Sequence, residues 1–133
     1  MDLRENALTL VASVEIDCQE TDKQTIFTVP ADKVFVPFCL AVREPSASLA
    51  GMTDFDLGAG ANADDWLQTI SLTSYTAITD YGILTQAEQS GTPLVPVKKT
   101  IYKAGDVWGV KITTGSTGAA TVTFDLFGYL ADA

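Results

Sequence analysis

Val107-Trp108-Gly109-Val110-Lys111-Ile112-Thr113, then the connection Thr114-Gly115-Ser116-Thr117-Gly118, then Thr121-Val122-Thr123-Phe124-Asp125-Leu126 is the stretch that decides the fold class. Trp108, Val110 and Ile112 alternate with Gly109, Lys111 and Thr113, and Val122, Phe124 and Leu126 alternate with Thr121, Thr123 and Asp125. A period of two marks a strand with one face on a core and the other in water. Gly115 and Gly118 supply the positive-φ positions that a chain reversal uses. The stretch reads as a closing hairpin of two antiparallel strands, with Trp108 in the core phase.

Working outward, the same pattern recurs along the chain. Leu8, Leu10, Ala12, Val14 and Ile16 share one face of a first strand, and Val11 breaks the phase. The polar run Cys18 to Lys23 is a turn, followed by a strand from Gln24 to Val29 and a turn at Pro30-Ala31-Asp32-Lys33. Val34, Val36, Phe38, Leu40 and Val42 line one side of the next run, where Pro37 predicts an edge strand or a bulge. Residues 43–65 read as a long irregular surface loop, with a short helical turn from Ala63 to Leu67 capped by Asn62. Strands follow over Trp66–Leu72, Tyr75–Leu84 (broken near Asp80 or Gly82) and Val95–Tyr102. Gln86 to Pro93 is a surface loop, and Lys103-Ala104-Gly105-Asp106 turns into the closing stretch. About eight short strands with frequent turns predict an all-β antiparallel sandwich, jelly-roll-like, with an Ig-like sandwich as the alternative.

The chain of 133 residues is 47% hydrophobic and 19% charged, which predicts one domain over residues 1–133 with its own core. Residues 1–7 read as an N-terminal arm. A formal charge of -9, from 17 acidic and 8 basic residues, opposes binding to a phosphate backbone, so no nucleic-acid partner is expected. The charge suits solubility or docking on a basic protein surface. No apolar run reaches the roughly 20 residues of a membrane-spanning helix, and residues 1–6 lack a signal-peptide pattern, so no membrane partner is expected and folding in a reducing cytoplasm is. Cys18 and Cys39 sit in apolar strand contexts and read as buried free thiols, with a bridge between them as the alternative.

Little in the sequence points to catalysis. The chain has no histidine, which excludes Ser-His-Asp and Cys-His nucleophile activation. No lysine stands in an S-x-x-K arrangement. Two cysteines without histidine leave a zinc set incomplete, and neither Gly58-Ala59-Gly60 nor Gly115-Ser116-Thr117-Gly118 has phosphate-loop spacing. The best hard-ligand cluster is Asp54, Asp56, Asp64 and Asp65, with Asp80 as a further member. These are calcium candidates, although EF-hand spacing is missing. A solvated acidic loop is the preferred reading of these residues, and no cofactor is expected. Phe127 and Tyr129 lie on the face opposite Phe124 and Leu126, which is otherwise polar, so either a neighbouring subunit or a loop of the same chain is expected to cover them.

The endings Ala104-Gly105-Asp106-Val107-Trp108-Gly109-Val110-Lys111-Ile112-Thr113 and Ala120-Thr121-Val122-Thr123-Phe124-Asp125-Leu126-Phe127-Gly128-Tyr129-Leu130 resemble the closing strands of small β-sandwich virion proteins of tailed bacteriophages. Val34-Phe35-Val36-Pro37-Phe38-Cys39-Leu40-Ala41-Val42-Arg43 is similar in texture. This resemblance covers about half the chain and transfers no site residue. It implies a non-enzymatic structural protein of the virion, made in the host cytoplasm. The first choice is a capsid decoration (cement) protein whose partner is the major capsid protein or another virion protein. Symmetric homo-oligomers, often trimers, belong to that expectation. Arg43, Met52 and Phe55 from the loop, with Phe127 and Tyr129, are the expected interaction residues. Deleting residues 46–60 is expected to spare the fold and abolish shell binding. The alternative is a head- or tail-fibre component, or a free-standing module, that binds a glycan or receptor. A hydrolase on the same scaffold ranks third.

Overall fold

The computed structural model describes residues 7–85 and 99–133. Its strands are β1 (Thr9–Asp17), β2 (Gln24–Thr28), β3 (Lys33–Arg43), β4 (Asp54–Ala59), β5 (Leu67–Ile70), β6 (Tyr81–Leu84), β7 (Tyr102–Lys103), β8 (Val107–Thr114) and β9 (Thr121–Asp132). They form two antiparallel sheets, one ordered β1-β9-β3-β6 with β7 also on β3, the other β2-β8-β4-β5. Apart from the two-residue β7, the pairs are nested. β1 meets β9, β2 meets β8, β3 meets β6 and β4 meets β5. Such a chain is one long antiparallel hairpin whose successive pairs go alternately to the two sheets, which is the jelly roll.

This topology corrects the reading of the closing stretch. β8 and β9 are strands, as their alternation predicts, yet they do not pair. β8 lies between β2 and β4, and β9 lies between β1 and β3. The connection carrying Gly115 therefore crosses from one sheet to the other. A Cβ at Gly115 would sit 2.3 Å from the Cys18 carbonyl oxygen, so this crossing needs glycine.

The predicted surface loop over residues 43–65 is also corrected. It contains β4, a central strand, and Leu49, Met52, Phe55, Leu57 and Ala63 within it are fully buried. Backbone hydrogen bonds lace its approach into the sandwich: Leu49 N–H donates to Tyr75, Leu72 N–H to Met52 and Thr117 N–H to Ala50. Deleting residues 46–60 would thus remove a core strand. The helical turn over 63–67 is absent. Residues 60–63 form a tight turn closed by Ala63 N–H on the Gly60 carbonyl, and Ala63 takes a positive φ of 47°.

Two bulges shift the predicted strand faces. Pro37 does mark a bulge, between Pro37 and Cys39. β3 is nonetheless central, and Pro37 is tolerated because β6 pairs only with residues 40–43 and β7 only with 34–35. Across the bulge the phase switches, so Val34 and Val36 face outward while Leu40 and Val42 are fully buried. A second bulge between Leu10 and Ala12 turns Leu10 outward while Ile16 stays in the core. Only Tyr81–Leu84 of the predicted strand 75–84 is extended, and only Tyr102–Lys103 among the described residues of the predicted strand 95–102. The predicted loop 86–93 and the arm over residues 1–6 lie outside the described residues.

The inner faces enclose one apolar core. Phe55 of β4 meets Phe124 of β9 across the two sheets, ring centroids 6.0 Å apart. Trp66 and Trp108 stack edge to face at 5.4 Å. Trp108 is fully buried, as its phase with Val110 and Ile112 predicts. Gly128 of β9 is required by contact, because a Cβ there would lie 2.4 Å from the Phe35 ring. Cys18 and Cys39 are free and buried, so the alternative bridge is not formed.

Candidate functional site

The two outer faces of the sandwich differ in chemistry. On the four-stranded sheet, Asp56 lies opposite Lys111 and Asp54 opposite Thr114, with Thr25 and Thr69 exposed beside them. That face is small, polar and acidic. On the five-stranded sheet the register brings apolar side chains into one zone. Leu10 of β1 and Cys39 of β3 both lie opposite Phe127 of β9, and Val36 lies opposite Tyr129. Residues directly opposite share a face. The bulge at Pro37 adds Phe38, whose ring meets Tyr129 edge-on at 6.2 Å. Ile83 and Tyr81 of β6 extend the same face, opposite Ala41 and Arg43. Leu10 is 50% exposed, Phe38 53%, Ile83 60% and Tyr81 82%. Scattered exposed apolar residues are ordinary on a protein surface, whereas a contiguous set signals a contact surface.

One end of this face is polar and internally neutralised. Arg43 Nε donates to Asp125 at 2.7 Å, and Arg43 also pairs with Glu44 at 3.0 Å. Ser13 Oγ donates to the same Asp125 carboxylate. Burial pushes the Asp125 carboxyl up, but hydrogen bonds from Arg43 and Ser13 and the guanidinium charge bring it below the usual carboxylate value. Arg43, expected as an interaction residue, is thus engaged within the chain.

Of the other expected interaction residues, Phe127 and Tyr129 are half-buried on the outer face, where alternation places them. Met52 and Phe55 are fully buried and serve the protein's own core. Leu10, Phe38 and Ile83, exposed on the same face, were not among the residues expected there. Pro37 was the available signal for Phe38, because a bulge re-aims the residues beside it. Val11, which breaks the alternation of its strand, was the signal for the bulge between Leu10 and Ala12.

The acidic candidates do not converge. Among the described residues, no three groups of metal-ligating type come together. Asp56 accepts the Thr69 N–H at 2.8 Å, Asp64 accepts Gln68 Nε2, and Asp65 accepts the Ala59 N–H and the Tyr102 hydroxyl. Asp80 caps its own turn by accepting the Thr76 and Ala77 N–H groups. Asp56, Asp64, Asp65 and Asp80 are thus engaged in hydrogen bonds within the chain. The cysteines offer no accessible thiolate, since burial, then the Asp17 charge, pushes the Cys18 thiol up to about 12, and burial raises Cys39 too.

The described concave feature is a shallow hollow of about 260 Å³ lined by Ser74, Tyr75, Thr79, Asp80 and Tyr81, beside the apolar face. Tyr75 lies across Gly82, where a Cβ would meet the Tyr75 hydroxyl.

With this geometry in view, the fold has solved counterparts. Its likeness is to phage capsid chains. One belongs to the capsid asymmetric unit of cyanophage Pam1, with a TM-score of 0.57 at 10% identity, covering 93% of this chain and 85% of that one. Another belongs to the acid-stable capsid of Helicobacter pylori bacteriophage KHP30, with a TM-score of 0.53 at 8% identity, covering 97% and 98%. At such identities the likeness is one of fold. No family model matches the chain, and no curated protein matches it.

Proposed function

We propose that this chain is a non-enzymatic structural protein of a phage virion, most specifically a decoration (cement) protein that binds the assembled shell and stabilises it. The observation that carries the reading is the jelly roll shared along nearly the whole chain with chains of two phage capsids. Two further features support it: the absence of histidine and the engagement of Asp56, Asp64 and Asp65 in hydrogen bonds within the chain. A protein that binds only the assembled shell favours assembly by mass action and needs no reacting group. In this reading the chain works as a symmetric homo-oligomer, a trimer where it caps quasi-three-fold positions, and its partner is the major capsid protein.

The test is co-sedimentation of the purified protein with shells that lack it. Saturable binding and a higher temperature of shell disruption are expected. Shells that take up no protein at saturating concentration would overturn the proposal. A second reading, a receptor- or glycan-binding module, is favoured by the hollow beside the exposed Tyr81, since an exposed ring next to polar acceptors suits a sugar. Glycan-array binding that is lost in Tyr81→Ala would select it.

A further inference from the structure

We infer that the hollow lined by Ser74, Tyr75, Thr79, Asp80 and Tyr81 is a binding subsite for a neutral saccharide, with the Tyr81 ring as the platform on which one sugar ring stacks. The inference rests on the second reading above, whose ligand it names by class, and not on shell binding.

Three observations carry it. First, Tyr81 is held out in water at the start of β6. A ring in that position adds nothing to the core, while its flat apolar surface suits the C–H face of a sugar. Ile78, the other large apolar side chain exposed on this connection, does not line the hollow.

Second, the walls are fixed before any ligand arrives. Asp80 Oδ2 accepts the Thr76 N–H at 2.8 Å and the Ala77 N–H at 2.9 Å, and the Asp80 N–H donates to the Ala77 carbonyl. The Leu49 N–H donates to the Tyr75 carbonyl and so ties the connection to a buried residue. Gly82 seats Tyr75, because a Cβ there would overlap the Tyr75 hydroxyl. Preformed walls lower the ordering cost of binding.

Third, the lining defines the ligand. Ser74 and Thr79 are exposed and bring hydroxyls, which both donate and accept. Both turn bonds of Asp80 fall on Oδ2, which leaves Oδ1 as an acceptor outside that pair. Asp80 is the charged residue of the lining, and Arg43, opposite Tyr81 in the register, is already paired with Asp125 and Glu44. An anionic ligand would therefore meet a carboxylate with no cation to offset it. An apolar ligand would strip water from these groups without replacing its hydrogen bonds. A neutral polyol replaces them. The volume of about 260 Å³ lies below the roughly 300–1,000 Å³ of sites for drug-sized molecules, which fits a single sugar ring.

The test is binding of the full chain to an array of glucose-, galactose-, mannose- and N-acetylglucosamine-terminated glycans beside sialylated and sulfated ones, with hits titrated by calorimetry. Wild type, Tyr81→Phe and Tyr81→Ala are compared. Tyr81 is 82% exposed, so both substitutions keep the fold, checked by an unchanged urea midpoint. Neutral glycans are expected to bind wild type and Tyr81→Phe alike, and Tyr81→Ala roughly fivefold or more weakly. A preference for acidic glycans, or a Tyr81→Ala protein that binds as wild type does, would overturn the inference and leave the second reading standing. An array with no hit at all would overturn both.

Discussion

Tyr102 donates its hydroxyl hydrogen bond to Asp65 at 2.8 Å, and this contact fastens the connection between β4 and β5 onto β7. The same Asp65 oxygen accepts the Ala59 N–H at 2.9 Å. Tyr102 is fully buried, so Tyr102→Phe keeps the packing and removes the bond to a charged acceptor. A loss of about 1.5–3 kcal/mol is expected, read as the shift in urea midpoint at constant slope. A midpoint within error of the wild type would show that the contact contributes nothing net.

Stability should fall on the alkaline side. Burial, then the Asp17 charge, raises the folded-state Cys18 thiol to about 12 from its ordinary 9.0. The unfolded chain releases this proton first. The contribution of Cys18 is therefore complete below about pH 9 and is lost as pH rises from there towards 12. Burial and the Asp65 carboxylate raise Tyr102 as well, and its loss begins about one unit later. Between about pH 9 and 10 the Cys18→Ala protein should show a flatter decline in unfolding free energy than the wild type. Parallel declines would place the alkaline sensitivity elsewhere.

The Arg43–Asp125 pair should act in the opposite pH range. Asp125 is lowered in the folded state despite its partial burial, because Arg43 and Ser13 hold the ionised form. Its contribution is present above the usual carboxylate range and disappears as pH falls through the lowered folded-state value. Asp125→Asn should therefore lower the midpoint at pH 7 by more than it does at about pH 2. A gap of the same size at both pH values would mean that the effect is one of packing.

Strand β4 offers a direct test of the corrected loop. Phe55 is fully buried against Phe124, so Phe55→Ala should cost about 3–5 kcal/mol. Deletion of residues 46–60 should yield no cooperative unfolding transition at all. A deletion protein that melts cooperatively near the wild-type temperature would show β4 to be dispensable.

Wherever strict alternation ran without interruption, the sequence was legible. Trp108, Val110 and Ile112 point inward as read, and Phe127 and Tyr129 point outward. Errors gathered at irregular backbone. β4 was hidden because Gly58 and Gly60 and the aspartates around Phe55 resemble a loop, whereas Asp56 accepts the Thr69 N–H of the paired strand β5 and Gly58 makes room for Asp65. Leu10 and Phe38 were given to the core because Leu10 adjoins one bulge and Phe38 occupies the other, and a one-residue shift moves a side chain to the other face.

By itself, the sequence determined an all-β sandwich of short antiparallel strands, the inward phase of Trp108, Val110 and Ile112 and of Val122, Phe124 and Leu126, and a chain without the imidazole that most nucleophilic catalysis requires. Those properties depend on residue type and on spacing within single strands. Only the tertiary structure decided that β8 and β9 belong to different sheets, that residues 54–59 form a central strand, and that Leu10, Phe38, Phe127 and Ile83 share one outer face. These outcomes depend on pairing between strands far apart in the chain and on two bulges. Long-range register is set by the packing of the whole core, which no single stretch of sequence contains.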